Sequence, residues 1–240
     1  MAKIIKAIFD FFLPRFCVNC NKKLSLEIDF ICSDCKPLIK TVDKEFINRE
    51  FEKKFLQADL ISAFQSSFLF ATHSPIQSLV HNLKYSQNYR SGVFLGELAA
   101  EIRKSELENW EIDLVIPVPL HRVKKAERGY NQAYYIAKGV GNILNIPVAT
   151  NAIKRVKYTQ SQTTFNLNER KENMTQAFEI KNTDLISGKN ILLIDDVITT
   201  GATISACAEV LKEKKAKNIF AFSVAIPDET TSCQEPKLQE

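Results

Sequence analysis

Residues 191 to 203, Ile-Leu-Leu-Ile-Asp-Asp-Val-Ile-Thr-Thr-Gly-Ala-Thr, constrain the fold more than any other stretch of the chain. A continuous apolar run of this kind suits a strand covered on both faces, as in the centre of a parallel sheet. After the loop, Ile204, Cys207, Ala208, Val210 and Leu211 recur at helical spacing, with Glu209, Lys212 and Glu213 largely on the other side. The unit reads as strand, loop, helix. Its polar residues fall at the strand's carboxyl end, where sheets of this class bind ligands.

The loop's chemistry matches a sugar phosphate. Asp195 and Asp196 can accept the two hydroxyl donors of a vicinal diol. Thr199, Thr200 and Thr203 supply hydroxyl donors, and Gly201 lets the backbone come close. The helix that follows turns its free N–H groups toward a phosphate. Two other uses of such a stretch fail on their own requirements. A Walker-type site needs Gly-x-x-x-x-Gly-Lys-Ser/Thr, whereas Gly188-Lys189 is followed by Asn and lacks the upstream glycine. Gly139-x-Gly141 has neither a third glycine nor a preceding strand, so it is no dinucleotide fingerprint.

From Asp113 onward the pattern alternates in the manner of an α/β, doubly wound, mostly parallel sheet. Strands are expected over Leu114 to Val118, Val148 to Val156, Asn190 to Asp195 and Ile219 to Ile226. Helices are expected over Tyr130 to Leu144 and Thr203 to Lys214. Upstream, Leu60 to Ala71 suits a strand or hairpin. Ser74-Pro75 caps a helix whose inner face is Ile76, Leu79, Val80 and Leu83, and another helix is expected over Ser91 to Lys104. Residues 36 to about 57 read as a polar, partly helical connector carrying Phe46, Phe51 and Phe55.

Two further clusters carry chemistry. Arg122, Lys124, Lys125 and Arg128 crowd one loop ahead of Gly129, a charge density that serves either a diphosphate or plain solvation. Cys17-x-x-Cys20 and Cys32-x-x-Cys35 are paired knuckles whose thiolates can reach one tetrahedral ion, a structural zinc. Disulfides are the competing use, disfavoured because the remainder of the chain looks cytoplasmic, where thiols stay reduced. Cys207 falls on an apolar helix face and reads as core, and Cys233 sits in a polar tail.

The stretch 191–203 closely resembles the phosphoribosyl pyrophosphate motif of type I phosphoribosyltransferases. Three further segments and the paired cysteines narrow the resemblance to ComF-type proteins. These segments are Val115-Ile-Pro-Val-Pro-Leu-His-Arg122 with Glu127-Arg-Gly-Tyr-Asn-Gln-Ala133, then Arg155-x-x-x-Thr159-x-x-Gln162 with Arg170, Asn173 and Ala177-Phe178, and lastly Leu83-Lys84-Tyr85. The resemblance implies the type I phosphoribosyltransferase fold with a small N-terminal zinc ribbon.

As the site, the resemblance implies Asp195 and Asp196 for the ribose and catalysis, and Thr199, Thr200, Gly201, Ala202 and Thr203 for the 5-phosphate. Arg122, Arg128, Gly129 and Asn131, beside Gln132, would hold pyrophosphate. Lys157, Thr159, Gln162 and Arg170 would belong to a flexible loop that closes over the substrate and excludes water. The expected substrate is phosphoribosyl pyrophosphate with Mg2+, transferred to a nitrogen acceptor that no residue identifies. The same resemblance implies the alternative of a competence accessory protein that handles transforming single-stranded DNA, with competence proteins as partners. The chain departs from the family pattern after Tyr85, where Ser-Gln-Asn-Tyr-Arg stands in place of an early glycine.

Composition adds exclusions only. A net charge of +4 permits phosphorylated or nucleic-acid ligands without requiring them. The apolar run from Lys3 to Leu13 is interrupted by Lys6 and Asp10, and reads as an amphipathic helix, neither a signal peptide nor a membrane span. The expected organisation is an N-terminal helix, zinc ribbon and connector over 1–56, a phosphoribosyltransferase domain over 57–228, and a tail over 229–240.

Overall fold

The computed structural model describes residues 14–156 and 177–228. The expected N-terminal helix, the whole stretch 157–173 and the tail, Cys233 included, lie outside the described residues.

Four strands form one all-parallel sheet: β1 (Ala63–Phe70), β2 (Leu114–Pro117), β5 (Asn190–Val197) and β6 (Asn218–Pro227), in spatial order β1-β6-β5-β2. The apolar run 191–194 is wholly buried, and its alternate residues serve two different cores. Ile191 and Leu193 pack with helix α7 (Ala202–Glu213) and with Ile47 of helix α1 (Lys44–Lys54). Leu192 and Ile194 pack with helices α2 (Pro75–Tyr85), α3 (Tyr89–Ile102) and α6 (Gln132–Leu144). Burial on both faces is what a continuous apolar strand requires. Two short helices are also present among the described residues, α4 (Lys104–Glu108) and α5 (Arg122–Arg128).

Of the two readings of Leu60 to Ala71, strand or hairpin, the structure has the strand: β1 joins the main sheet, pairing in parallel with β6. Two expectations need correction. Val148 to Val156 is not one strand. Val148 makes a single parallel bridge to Val115, and β3 (Ile153–Arg155) turns away to pair antiparallel with β4 (Phe178–Ile180). Thr150 and Asn151, residues that favour turns, separate the two pieces. The basic segment after β2 is no loop but helix α5, capped by the His121 imidazole, whose Nδ1 accepts the Val123 N–H at 3.3 Å.

The cysteine knuckles are not a free appendage. Cys17, Leu24, Phe30, Ile31, Cys32 and Cys35 share a core with α2, α3 and α6, and the Phe30 and Phe94 rings lie 5.2 Å apart. Among the described residues, no helix is long and apolar enough to cross a membrane.

Candidate functional site

Strands β5 and β2 are neighbours whose chains leave in opposite directions. After β5, α7 covers one face on the way to β6; after β2, α6 covers the other on the way to Val148. The crevice at their carboxyl ends is therefore a topological switch point, the usual ligand position in an open parallel sheet. The Val118 N–H donates to the Ile194 carbonyl at 2.9 Å, so the end of β2 stands level with the start of the acidic pair.

Asp195 and Asp196 cap β5 and are both half-buried. Asp195 Oδ1 accepts the Asp196 N–H at 2.9 Å, and Asp196 Oδ1 accepts the Val197 N–H at 2.7 Å. The other oxygen of Asp196, Oδ2, lies 2.7 Å from Lys84 Nζ at the end of α2. Removal from water, with the Asp196 charge beside it, pushes the Asp195 carboxyl up to about 7.

The loop ahead of α7 exposes Thr199, Thr200 and Ala202, leaves Thr203 half-buried and buries Gly201. Gly201 sits at φ +77°, where side chains are strained, and a Cβ there would stand 2.8 Å from the Phe55 ring and 3.2 Å from Lys54 Cβ. The floor of the loop is thus the end of α1 in the connector. There Lys54 also forms a shielded ion pair with Glu50, one helical turn back. The sequence reading carries Phe55 as part of the connector and misses this support, because the contact joins segments 146 positions apart.

Opposite the acidic pair stands a group of cations drawn from three elements. Burial, then the positive charges of Arg128, Arg155 and Lys84, holds the Lys124 ammonium below its usual range. Burial likewise lowers the Arg155 guanidinium, opposed by Cys207 and by the charge of Asp195. A cleft of about 260 Å³ between these charges is lined by Lys84, Tyr85, Gln87, Glu127 and Arg128. Arg128 lies over the Tyr85 ring at 5.9 Å and donates to Gln132 Oε1 at 3.2 Å.

The remaining candidates are placed as follows. Arg122 is exposed at the first position of α5, and Gly129 ends that helix at φ +78°. Asn131 uses both ends of its amide on the chain: Oδ1 caps α6 at Ala133 N (3.1 Å), and Nδ2 donates to the Val118 carbonyl (2.9 Å). It therefore ties the end of β2 to the start of α6 and positions its neighbours. Lys157, Thr159, Gln162 and Arg170 lie outside the described residues. The sequence reading assigns no role to Lys84 or Arg155, although both stand within its motifs, and it counts Lys124 in the basic cluster for a diphosphate.

The structure also assembles two aromatic groups. His81 and Tyr85 rings lie 4.6 Å apart in one; in the other Tyr135 lies 4.9 Å from Tyr89, 4.9 Å from Tyr134 and 5.3 Å from Tyr130. Tyr85 and Tyr89 are exposed, at 63% and 48%. The first group borders the cationic cleft, because Tyr85 also lines it.

The four knuckle sulfurs lie within 4.8 Å of one another, a separation suited to a tetrahedral ion. Two contacts support the set from outside: the Cys32 N–H points to Cys17 Sγ at 3.4 Å, and Asn19 Nδ2 to Cys35 Sγ at 3.3 Å. Asn19 is in turn held by Ser78 of α2 at 3.0 Å. Cys207 is buried beneath the site, with its thiol pushed well up by burial, and is inert core.

Residues 86–237 match the family model of the phosphoribosyl transferase domain, which is more than half of the chain. The chain belongs to that family. This phosphoribosyl transferase domain protein is 25% identical over 231 residues to competence protein F of Haemophilus influenzae, covering 91% of this chain and 99% of that protein. It is 24% identical over 212 residues to competence protein ComFC of Bacillus subtilis, covering 88% and 77%. It is 28% identical over 142 residues to the DNA utilization protein YhgH of Escherichia coli K12, covering 57% and 61%. The solved structure of the allosteric regulatory enzyme of purine biosynthesis overlays with a TM-score of 0.41 at 17% identity, over 60% of this chain and 30% of that one.

Proposed function

We propose that this protein binds phosphoribosyl pyrophosphate with Mg2+ and transfers its phosphoribosyl group to a nitrogen acceptor. One observation carries this reading: a carboxylate pair and a threonine-glycine loop share the switch-point crevice with Lys84, which pairs with Asp196, and with Arg128 across the cleft that Lys84 lines. Asp195 and Asp196 accept the ribose hydroxyls, and residues 199–203 anchor the 5-phosphate at the start of α7. The cations receive the diphosphate. As the nitrogen bonds to the anomeric carbon, the bond to the diphosphate oxygen breaks and its electron pair leaves with pyrophosphate, whose charge Arg128 and its neighbours stabilise. The carboxylate oxygens of Asp195 and Asp196 are hard donor atoms that would suit Mg2+, directly or through its waters. That ion supplies charge neutralisation of the diphosphate.

Four thiols at tetrahedral spacing support a structural zinc at Cys17, Cys20, Cys32 and Cys35. With reduced thiols and a nucleotide-type substrate, the cytoplasm is the matching compartment. The shared core of knuckles, α2 and α3 favours a ribbon docked on the domain over a tethered one.

Calorimetry with phosphoribosyl pyrophosphate and Mg2+ tests the reading. Wild type binds saturably, and Asp195→Asn and Asp196→Asn each lose roughly 10- to 100-fold, the worth of a charged hydrogen bond. Unchanged affinity in both variants refutes the site.

A second reading is favoured by the exposed aromatics. Tyr85, with Arg128 over its ring, and exposed Tyr89 suit the bases and phosphates of single-stranded DNA, in keeping with relatives named for competence and DNA utilization. Affinity for an oligo-dT probe, read by anisotropy, should fall roughly 5- to 100-fold on Tyr85→Ala. Equal binding by wild type and variant removes Tyr85 from DNA handling.

A further inference from the structure

The ammonium of Lys84 stands where a ligand must arrive. It is 2.7 Å from Asp196 Oδ2, with the two side chains 23% and 13% exposed, and it also lines the cleft with Arg128. Because Asp196 Oδ1 is taken by the Val197 N–H, Oδ2 is the oxygen left for a ribose hydroxyl or a hydrated cation, and Lys84 covers it. The backbone that carries Lys84 is fixed. Leu83 is fully buried, and its carbonyl accepts the Tyr130 hydroxyl from the start of α6. Only the flexible four-carbon stem of Lys84 is left to move, and its ammonium stands between Asp196 and a cleft whose lining also carries Arg128 and Glu127.

We propose that Lys84 is an exchangeable counter-ion that selects ligands carrying a diphosphate. Without ligand it neutralises Asp196 and competes with divalent cations and with sugar hydroxyls for Oδ2. A ligand that brings its own diphosphate into the cleft offers the ammonium a second anion, and Lys84 passes to it as Asp196 is released. Ribose 5-phosphate offers no such exchange and must break the ion pair uncompensated. The proposal rests on the reading that Asp195 and Asp196 hold the ribose, and it adds Lys84 as the residue that discriminates between the two ligands.

The test compares wild type, Lys84→Met and Lys84→Arg in three arms: Mn2+ alone by electron paramagnetic resonance, ribose 5-phosphate with Mg2+ by calorimetry, and phosphoribosyl pyrophosphate with Mg2+ by calorimetry. Loss of one charge-assisted contact predicts that Lys84→Met weakens phosphoribosyl pyrophosphate by about tenfold or more. The same variant binds Mn2+ about threefold or more tightly and ribose 5-phosphate no more weakly than wild type, as freeing a carboxylate requires. Lys84→Arg retains the discrimination. Equal losses for both sugar phosphates, or Mn2+ affinity unchanged in Lys84→Met, overturn the proposal. The Mn2+ arm needs no sugar ligand, so it decides on Lys84 even if wild type binds no phosphoribosyl pyrophosphate, an outcome that would sink the functional reading separately. Near-ultraviolet circular dichroism of each variant checks that the fold is retained.

Discussion

Replacing Gly201 with alanine separates two costs that usually arrive together. Gly129, Gly188 and Gly201 all sit in the left-handed region, at φ +78°, +71° and +77°. A Cβ at Gly129 or Gly188 meets nothing within 4 Å, whereas at Gly201 it meets the Phe55 ring at 2.8 and 3.0 Å and Lys54 Cβ at 3.2 Å. The conformational term is common to the three and amounts to about 1–2 kcal/mol. Only Gly201→Ala adds an overpacking term, about 1–3 kcal/mol, because Phe55 is 1% exposed and has no free space to retreat into. Equilibrium urea unfolding should rank Gly201→Ala below the other two by roughly 0.3–1 M in midpoint, for a slope near 3 kcal/mol/M. Phe55→Leu, which shortens the ring side, should recover part of the difference in a double mutant and none of it in a Gly188→Ala background. Identical midpoints for all three alanine variants would show that the connector does not floor the phosphate loop.

Stability should depend on pH through Asp195. Its folded-state carboxyl is pushed up to about 7 from the ordinary aspartate value of 3.8, so the proton binds the folded chain more tightly than the unfolded one. The associated stability is complete below about pH 4 and is lost as pH rises through about 7. Asp195→Asn should flatten that slope in ligand-free protein and raise the melting temperature at pH 8; an unaltered slope refutes the burial argument. At the knuckles, Cys32→Ser should abolish stoichiometric zinc, measured by metal analysis, and expose the α2–α3 face to limited proteolysis. Retention of one zinc per chain refutes the four-thiolate site.

The amino-acid order determined every property that depends on near neighbours. The apolar run 191–194, the helical spacing after it and the Ser74-Pro75 start are all local patterns. The structure has β5, α7 and α2 where those patterns point, with Ser74 accepting the Gln77 N–H at 3.1 Å. The two Cys-x-x-Cys spacings likewise announced four converging sulfurs. Local reading failed where pairing depends on distant chain, as at Val148 to Val156, where a turn divided an apolar stretch between two sheets.

Only the tertiary structure decided what stands opposite Asp195 and Asp196, and why. The glycine pair 139 and 141 carries no dinucleotide site, yet Gly139 matters: a Cβ there would lie 2.2 Å from the Val93 carbonyl oxygen, and one at Gly96 would lie 2.1 Å from that of Ile136. A Cβ at Gly92 would likewise lie 2.8 Å from Tyr135 Cβ. The absence of side chains at these positions lets α3 and α6 meet backbone to backbone, and that closeness brings Tyr89 onto Tyr135. The Tyr130 hydroxyl on Leu83 ties the end of α2 to the same corner, with Lys84 reaching Asp196 beside it. Helix packing is a contest of shapes between segments far apart in sequence, so no local pattern carries it.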